Sequence, residues 1–374
     1  MKIVFFYLKA FSITGGIEKF NKAFMKALGE LGIESNFSFE AVSVYDSEHD
    51  EKYIHSGHFK GFGGNKLQFI LHCLLKSLHA DIIIFAHINL APLVFLISKL
   101  KPHVAKVLIA HGIEVWHKCS ILKKSALYSS NTILSVSSFT MEKLIKIQGI
   151  PSEKIYLFPD TLDPYFNIPY GVHTKPAHLV NRLGISSDSK VLLTVSRVSS
   201  SEQYKGYDKV IQSLPVIMRE FPNLKYIIVG RGDENELRRL DALIEEMNLK
   251  EHIILTGYVE EGDLNDYYLL SDVFVMPSKR EGFGIVFLEA LACGRPVIAG
   301  NQDGSRGALL DGELGILVDP DNVSEISKMV IKLLRKEAPG HLFDPEYLRD
   351  RVIDTFGFNR FKERLREVLE VVTA

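Results

Sequence analysis

Short apolar runs alternate with segments of helical pattern or length along almost the whole chain, and this alternation constrains the fold more than any other feature. The runs at 35–44, 81–86, 106–110, 132–136 and 155–158 follow a first run at the N-terminus, Ile3-Val4-Phe5-Phe6-Tyr7. Alternation of such runs with helical segments reads as a parallel sheet covered on both faces by helices. A second series follows at 190–195, 225–229, 252–256, 272–276, 296–299 and 315–318. Between the two series, from 160 to 188, periodicity fades and Pro159, Pro164, Pro169, Gly171 and Pro176 punctuate the chain as in a linker. At 374 residues the chain exceeds the size at which a single core stops growing. The expectation is α/β with two Rossmann-like domains facing each other across a cleft, the default ligand site. Residues 1–168 form the first and 169–357 the second. The region 47–65, rich in His, Gly and charge, reads as a long mobile loop.

Composition narrows the partners. Forty-four Lys plus Arg balance 46 Asp plus Glu, a net charge of -2, which gives no reason to expect nucleic acid. Cys73, Cys119 and Cys293 are scattered without metal-ligand spacing and read as reduced thiols of a cytoplasmic protein. The N-terminal apolar run is too short for a signal peptide, and the most apolar segment, 82–97, is broken by His87, Asn89 and Pro92 and falls short of a bilayer span. Trp116-His117-Lys118-Cys119-Ser120-Ile121-Leu122-Lys123-Lys124 mixes basic and apolar residues shortly after Lys99, Lys101 and Lys106. A solvated charged face is the plain reading, and peripheral contact with anionic lipid is the alternative.

The chemistry concentrates near residue 281. In Glu281-Gly282-Phe283-Gly284-Ile285-Val286-Phe287-Leu288-Glu289-Ala290-Leu291-Ala292 a glycine loop gives way to a helix that Gly294 stops before Pro296. A helix N-terminus offers unpaired N–H groups and roughly half a positive charge to an anion. Two carboxylates beside an anion site suit hydroxyl groups better than phosphate, and a nucleotide sugar carries both. Diphosphate on the helix end, ribose on Glu289 and sugar on Glu281 is the reading that follows; a loop glutamate and a solvated helix glutamate are the plain alternative.

Other strand ends add to it. Phe11-Ser12-Ile13-Thr14-Gly15-Gly16 joins the first strand to a helix whose apolar residues, Ile17, Phe20, Phe24, Leu28 and Leu31, run to Gly32. His111 stands where the run 106–110 meets a loop, followed by Gly112 and the single tryptophan, Trp116. It reads either as a sugar contact or as a strand-end histidine bonded to a backbone carbonyl. Arg197 ends the first strand of the second series and Lys205 precedes its helix, a fork and a point charge that together suit a departing diphosphate. Val229-Gly230-Arg231-Gly232 and Thr256-Gly257-Tyr258-Val259 are further turns. Gly257 and Tyr258 have backbone groups for a planar base. Neither turn carries the dinucleotide fingerprint of a dehydrogenase, and no Walker sequence occurs.

With these motifs in this order, nearly the whole chain resembles the retaining GT-B glycosyltransferases of family 4, a group similar to glycogen and sucrose-phosphate synthases. Asp311-Gly312-Glu313-Leu314-Gly315-Ile316-Leu317-Val318 resembles the family's late turn-strand pattern, whereas Gly307 stands where many relatives carry glutamate. The resemblance implies that Arg197 and Lys205 bind the donor diphosphate with Gly16 nearby, and that the backbone of Phe283, Gly284, Ile285 and Val286 completes the anion site. It gives Glu289 the ribose, Glu281 and His111 the sugar, and Tyr258 a place beside the base, with Gly15 and Arg231 also in the donor set. It implies no metal and no other cofactor, and it returns the C-terminal helix, 358–374, to the first domain. Phe361, Leu365, Val368 and Leu369 would be its apolar face. The expected activity is retaining transfer of a hexose from a nucleotide diphosphate sugar, foremost a UDP-sugar such as UDP-glucose, to a glycan or lipid-linked sugar in polysaccharide or glycoconjugate synthesis. A nucleotide-sugar epimerase and a non-catalytic glycan-binding protein are the alternatives. The expected location is cytoplasmic or peripheral to a membrane.

Overall fold

The computed structural model describes residues 1–171, 174–186 and 188–373. It divides into two compact units, Met1–Tyr165 with Phe356–Ala374, and Phe166–Thr355.

In the first unit the elements run β1 (Lys2–Tyr7), α1 (Gly16–Glu34), β2 (Ser38–Ser43), β3 (Phe59–Gly61), α2 (Lys66–Ser77), β4 (Ile82–Phe85), α3 (Ala91–Leu100), β5 (Ala105–Ala110), α4 (Ile121–Ser129), β6 (Thr132–Ser135), α5 (Ser138–Lys143) and β7 (Ile155–Leu157). The strands form one parallel sheet in the order β3-β2-β1-β4-β5-β6-β7. Residues 3–7 of β1 and 82–85 of β4 are buried throughout, which is why these runs are continuously apolar. Two expectations change. The region 47–65 is not all loop: β3 adds to β2, with Ala41 opposite Phe59 and Ser43 opposite Gly61. Three residues with one apolar side chain show no period, and the strand is fixed instead by ring contacts from Phe59 to Phe11 at 6.1 Å and His49 at 4.8 Å. Helix α1 also runs past Gly32 to Glu34, because glycine weakens a helix by only about 1 kcal/mol and the buried Leu31 holds this turn on the core.

In the second unit come α6 (Ala177–Arg182), β8 (Val191–Val195), α7 (Tyr207–Met218), β9 (Lys225–Val229), α8 (Glu234–Glu246), β10 (Ile253–Gly257), α9 (Glu261–Leu270), β11 (Val273–Met276), α10 (Ile285–Ala292), β12 (Val297–Gly300), α11 (Ser305–Ala308), β13 (Ile316–Val318), α12 (Val323–Leu334) and α13 (Pro345–Phe356). All its sheet pairings are parallel, in the order β10-β9-β8-β11-β12-β13. The chain leaves β8 for β9 on one side and reaches β11 on the other, so the strand order reverses between β8 and β11. In open α/β sheets such a point is where the loops after the strands part and a ligand can enter.

The last helix, α14 (Phe358–Thr373), belongs to the first unit. Its buried residues are Phe361, Leu365, Val368 and Leu369. Phe361 meets the rings of Phe20 at 5.5 Å, Phe24 at 6.2 Å and Phe158 at 4.7 Å. At the rim, Lys362 Nζ lies 2.8 Å from Glu30 and 2.9 Å from Glu34, while Arg366 lies 2.6 Å from Glu34.

Candidate active site

The loops after β8 and β11 are locked together by backbone. Lys279 N–H donates to the Tyr204 carbonyl at 3.0 Å. Gly206, at φ +80°, lies so close to the Pro277 carbonyl that a Cβ would stand 2.3 Å from its oxygen. This contact brings Lys205 Nζ onto Glu281 Oε2, although the residues are 76 positions apart. Only 15% of the Lys205 side chain and 18% of Glu281 are exposed. Burial by itself would depress the Lys205 pKa, but the charge and hydrogen bond of Glu281 outweigh it and hold the ammonium above its ordinary range.

Arg197 follows β8 and is drawn to Glu202 at 2.6 Å, with 59% of its side chain exposed. Tyr204 sits among these charges. Burial raises its phenol pKa, with Lys205 and Arg197 opposing and Glu202 and Glu281 adding to the shift. Ser196 Oγ and Glu202 Oε2 are buried without a hydrogen-bond partner among the described residues. Buried polar atoms are seldom left so, and both lie in the loop that presents Arg197 and Lys205. The loop therefore carries a fork cation, a point cation, and a hydroxyl and a carboxylate oxygen that have no hydrogen-bond partner among the described residues.

Asp303, which the sequence reading did not single out, clamps Glu281. Its Oδ2 accepts from Glu281 N–H at 2.7 Å and from Ser278 Oγ at 2.6 Å, and its Oδ1 accepts from Ser305 N–H at 3.0 Å. Burial pushes this carboxyl up from 3.8 to about 6 against the pull of those hydrogen bonds. Gly304 N–H closes the clamp on the Glu281 carbonyl at 2.8 Å, and a Cβ at Gly304 would stand 1.9 Å from the Gly282 carbonyl oxygen. This is a physical role for the Gly304 turn. An acid followed by glycine after a strand was the available signal, but nothing in the sequence ties it to Glu281.

Helix α10 begins after Gly284, whose φ of +98° needs glycine, and it ends before Gly294 at φ +69°. Phe283 and Ile285 are buried at this end. Glu289 is fully covered, and its Oε2 accepts 2.7 Å from the Tyr268 hydroxyl. Burial and the neighbouring carboxylate raise the Tyr268 pKa, which keeps that hydroxyl a donor. Arg231 follows β9, Gly257 ends the edge strand β10 and Tyr258 follows it. Tyr258 is 54% exposed. Gly230 N–H donates to the Gly257 carbonyl at 2.9 Å. The Gly230 position serves close packing, since a Cβ there would stand 1.8 Å from the Ser196 carbonyl oxygen.

In the first unit Gly15 and Gly16 begin α1, and nothing lies within 4 Å of a Cβ built on Gly16. The loop before them hangs on Asp46, which accepts from the N–H groups of Ala10 at 2.7 Å, Phe11 at 3.2 Å and Ser12 at 2.9 Å. His111 is buried. Its Nε2 lies 2.8 Å from the Ala86 carbonyl, so the tautomer carries its proton there, and Phe20 meets the ring edge-on at 5.0 Å. Burial lowers its pKa despite Glu114 and the Ala86 carbonyl, which favours the neutral ring. The strand-end histidine bonded to a carbonyl is thus what the geometry displays. Trp116 is committed as well, with Nε1 3.1 Å from Thr140 Oγ1. Among the described residues no cluster of three or more His, Cys, Asp or Glu could hold a metal ion.

Residues 178–348 match the family described as Glycosyl transferases group 1. The match takes in most of the second unit. Two solved structures share the fold of the whole chain. HepE from Anabaena, in complex with UDP and glucose, gives a TM-score of 0.78 at 16% identity and covers 99% of this chain and 100% of that one. Sucrose-phosphate synthase from Thermosynechococcus elongatus gives 0.78 at 18% identity, covering 100% and 99%. The fold is that of the GT-B glycosyltransferases. In sequence, the GDP-mannose-dependent alpha-(1-6)-phosphatidylinositol monomannoside mannosyltransferase of Mycolicibacterium smegmatis is 31% identical over 235 residues, 60% of this chain and 59% of that protein. The D-inositol 3-phosphate glycosyltransferase of Xylanimonas cellulosilytica is 31% identical over 198 residues, 51% of this chain and 45% of that protein. This chain thus matches across only 45 to 59% of the length of these relatives. The matched residues span all the loops that place Arg197, Lys205, Glu281 and Glu289.

Proposed function

We propose that this chain is a glycosyltransferase that moves a hexose from a nucleoside diphosphate sugar to a glycan or lipid-linked sugar, with retention of configuration. One observation carries the reading. At the point where the strand order reverses, a covered Lys205–Glu281 pair, the exposed fork of Arg197 and the N-terminus of α10 lie on loops of the same matched region. A departing diphosphate gains negative charge, and in this reading the two cations and the helix end stabilise it without a metal ion. Glu281, fixed by Asp303, accepts from sugar hydroxyls, and Glu289 from the ribose. Neither acid is given the role of covalent nucleophile. The part of His111 in meeting the sugar rests on the resemblance alone.

The base and sugar of the donor are the finer question. HepE has been seen with UDP and glucose, whereas the mycobacterial relative is named for GDP-mannose. The reading retains UDP-glucose as the first donor to try and places GDP-mannose beside it. The test is to incubate the chain with a panel of UDP- and GDP-sugars, with and without acceptor, and to follow release of free nucleoside diphosphate. Transfer requires release that rises with acceptor. Conversion of the donor sugar without acceptor points to an epimerase. Glycan binding unchanged in Arg197→Ala and Lys205→Ala, with no donor turned over, points to a binding protein.

A further inference from the structure

Helices α2, α3 and α4 cover one face of the first sheet side by side, α3 packing against both neighbours. All three contribute to one core through Phe69, Cys73, Val94, Ile97, Ala126 and Leu127. Their outer sides are therefore turned the same way. On a soluble surface those sides should be polar, and they are not. Helix α2 exposes Leu67 by 69%, Leu71 by 55% and Leu75 by 66%, with Leu78 just past its end at 51%. Positions four apart on a helix share a face, so these leucines form a stripe opposite the buried Phe69, Cys73 and Ser77. Helix α3 exposes Leu100 by 59% with Phe95 and Leu96, and α4 exposes Ile121 by 91% with Leu122.

The charge on these helices has one sign. Their sequences hold five lysines, Lys66, Lys76, Lys99, Lys123 and Lys124, and no Asp or Glu, in a chain whose net charge is -2. Lys76 is bound to Glu40, but Lys66, Lys99 and Lys124 are exposed beside the apolar residues, and Lys118 is exposed just before α4. Two of these ammonium groups stand over exposed rings of the same helices, Lys99 Nζ 5.8 Å from the centre of the Phe95 ring and Lys124 Nζ 5.6 Å from that of Tyr128. No helix among the described residues is long and apolar enough to cross a membrane.

We propose that the α2–α4 face is a lipid-docking surface that lies on an anionic bilayer, its leucines and Ile121 entering the headgroup boundary and its lysines meeting lipid phosphates. Apolar burial and cation attraction act together in such binding, and helices that carry cations and no acids of their own are matched to a negative surface. A second protein would have to bring both a large apolar patch and a surplus of acids to cover the same area.

The experiment is flotation of the full chain with vesicles of phosphatidylcholine alone and of phosphatidylcholine mixed with phosphatidylglycerol, at low and high salt. The expected result is partition into the mixed vesicles only, weakened by salt. Leu71→Glu with Leu75→Glu removes the binding, and Lys99→Glu with Lys124→Glu lowers the partition coefficient by about tenfold or more. All four side chains lie outside the core, and circular dichroism with nucleotide binding verifies that the variants are folded. The proposal is overturned if the chain stays behind with both kinds of vesicle, or if the variants float as well as the parent. It is also overturned if the chain self-associates without lipid and Leu71→Glu abolishes that association, which would make the face a contact between two copies.

Discussion

Lys205 and Glu281 neutralise each other across the ends of β8 and β11, each with less than a fifth of its side chain exposed. A partly covered pair resists losing one member more than losing both. Lys205→Ala strands the Glu281 carboxylate and is expected to cost about 3 kcal/mol of stability, with nucleoside diphosphate affinity falling at least about tenfold. Glu281→Gln frees the ammonium; diphosphate affinity is retained or improved while transfer is lost. Calorimetric titration with UDP and GDP, set beside turnover, separates the two. Equal loss of affinity in both variants would count against the division of roles.

Tyr268→Phe removes a donor from a fully covered carboxylate. The expected loss is about 1 to 3 kcal/mol in denaturant unfolding, because Glu289 keeps its burial and loses a hydrogen bond. If Glu289 receives the ribose, Glu289→Ala lowers affinity for a nucleoside diphosphate but not for inorganic diphosphate. Loss of both affinities would reassign Glu289 to holding α10.

Asp303 predicts a pH dependence with a sign opposite to that of a salt-bridged acid. Its pKa is raised on folding, so the native state binds more protons than the unfolded one between 3.8 and about 6. This group therefore withdraws stability as pH rises through that window, by about 3 kcal/mol in full. Function runs the other way, because the ionised carboxylate is the better acceptor for the N–H of Glu281. The ratio kcat/KM is expected to fall below pH about 6, and Asp303→Asn to lower kcat and abolish that acid limb. Urea midpoints of both proteins across the same range check the stability half. An unchanged acid limb in Asp303→Asn would place the titrating group elsewhere.

Phe361→Ala empties the centre of the Phe20, Phe24 and Phe158 cluster. Large-to-small changes at such sites cost about 3 to 5 kcal/mol. Lys362→Ala, on the exposed rim of the same helix, is expected to cost under about 1 kcal/mol. Differential scanning calorimetry distinguishes them, and similar shifts would mean that the rim, not the ring cluster, holds α14.

The fold was legible because strands covered on both faces are written as unbroken apolar runs. β1, β4 and β9 needed no more than that, and Gly284 and Gly294 marked both ends of α10 through their positive φ. Phe361, Leu365, Val368 and Leu369 marked the inner face of α14. Short elements held by a few contacts escaped, as β3 did, since three residues carry no period. For the site, single residues at strand ends stood out, but their connections did not. The closeness of Lys205 to Glu281 comes from the strand order, and the hold of Asp303 on Glu281 comes from a turn after β12 reaching a turn after β11. The commitment of the His111 imidazole to Ala86 was one of two readings the sequence left open, and only the pairing of β4 with β5 brings those atoms together.

The return of α14 to the first unit has a consequence for how the molecule is made. On the ribosome residues 1–165 emerge first, yet the helix that covers Phe20, Phe24 and Phe158 is translated after the whole second unit. For the time needed to synthesise some two hundred residues, about ten to forty seconds at ordinary elongation rates, this aromatic face has no cover of its own. A chaperone or the crowding of nascent chains meets it first. The yield of folded protein should therefore respond to elongation speed and to chaperone supply through one helix, even where the finished molecule is stable.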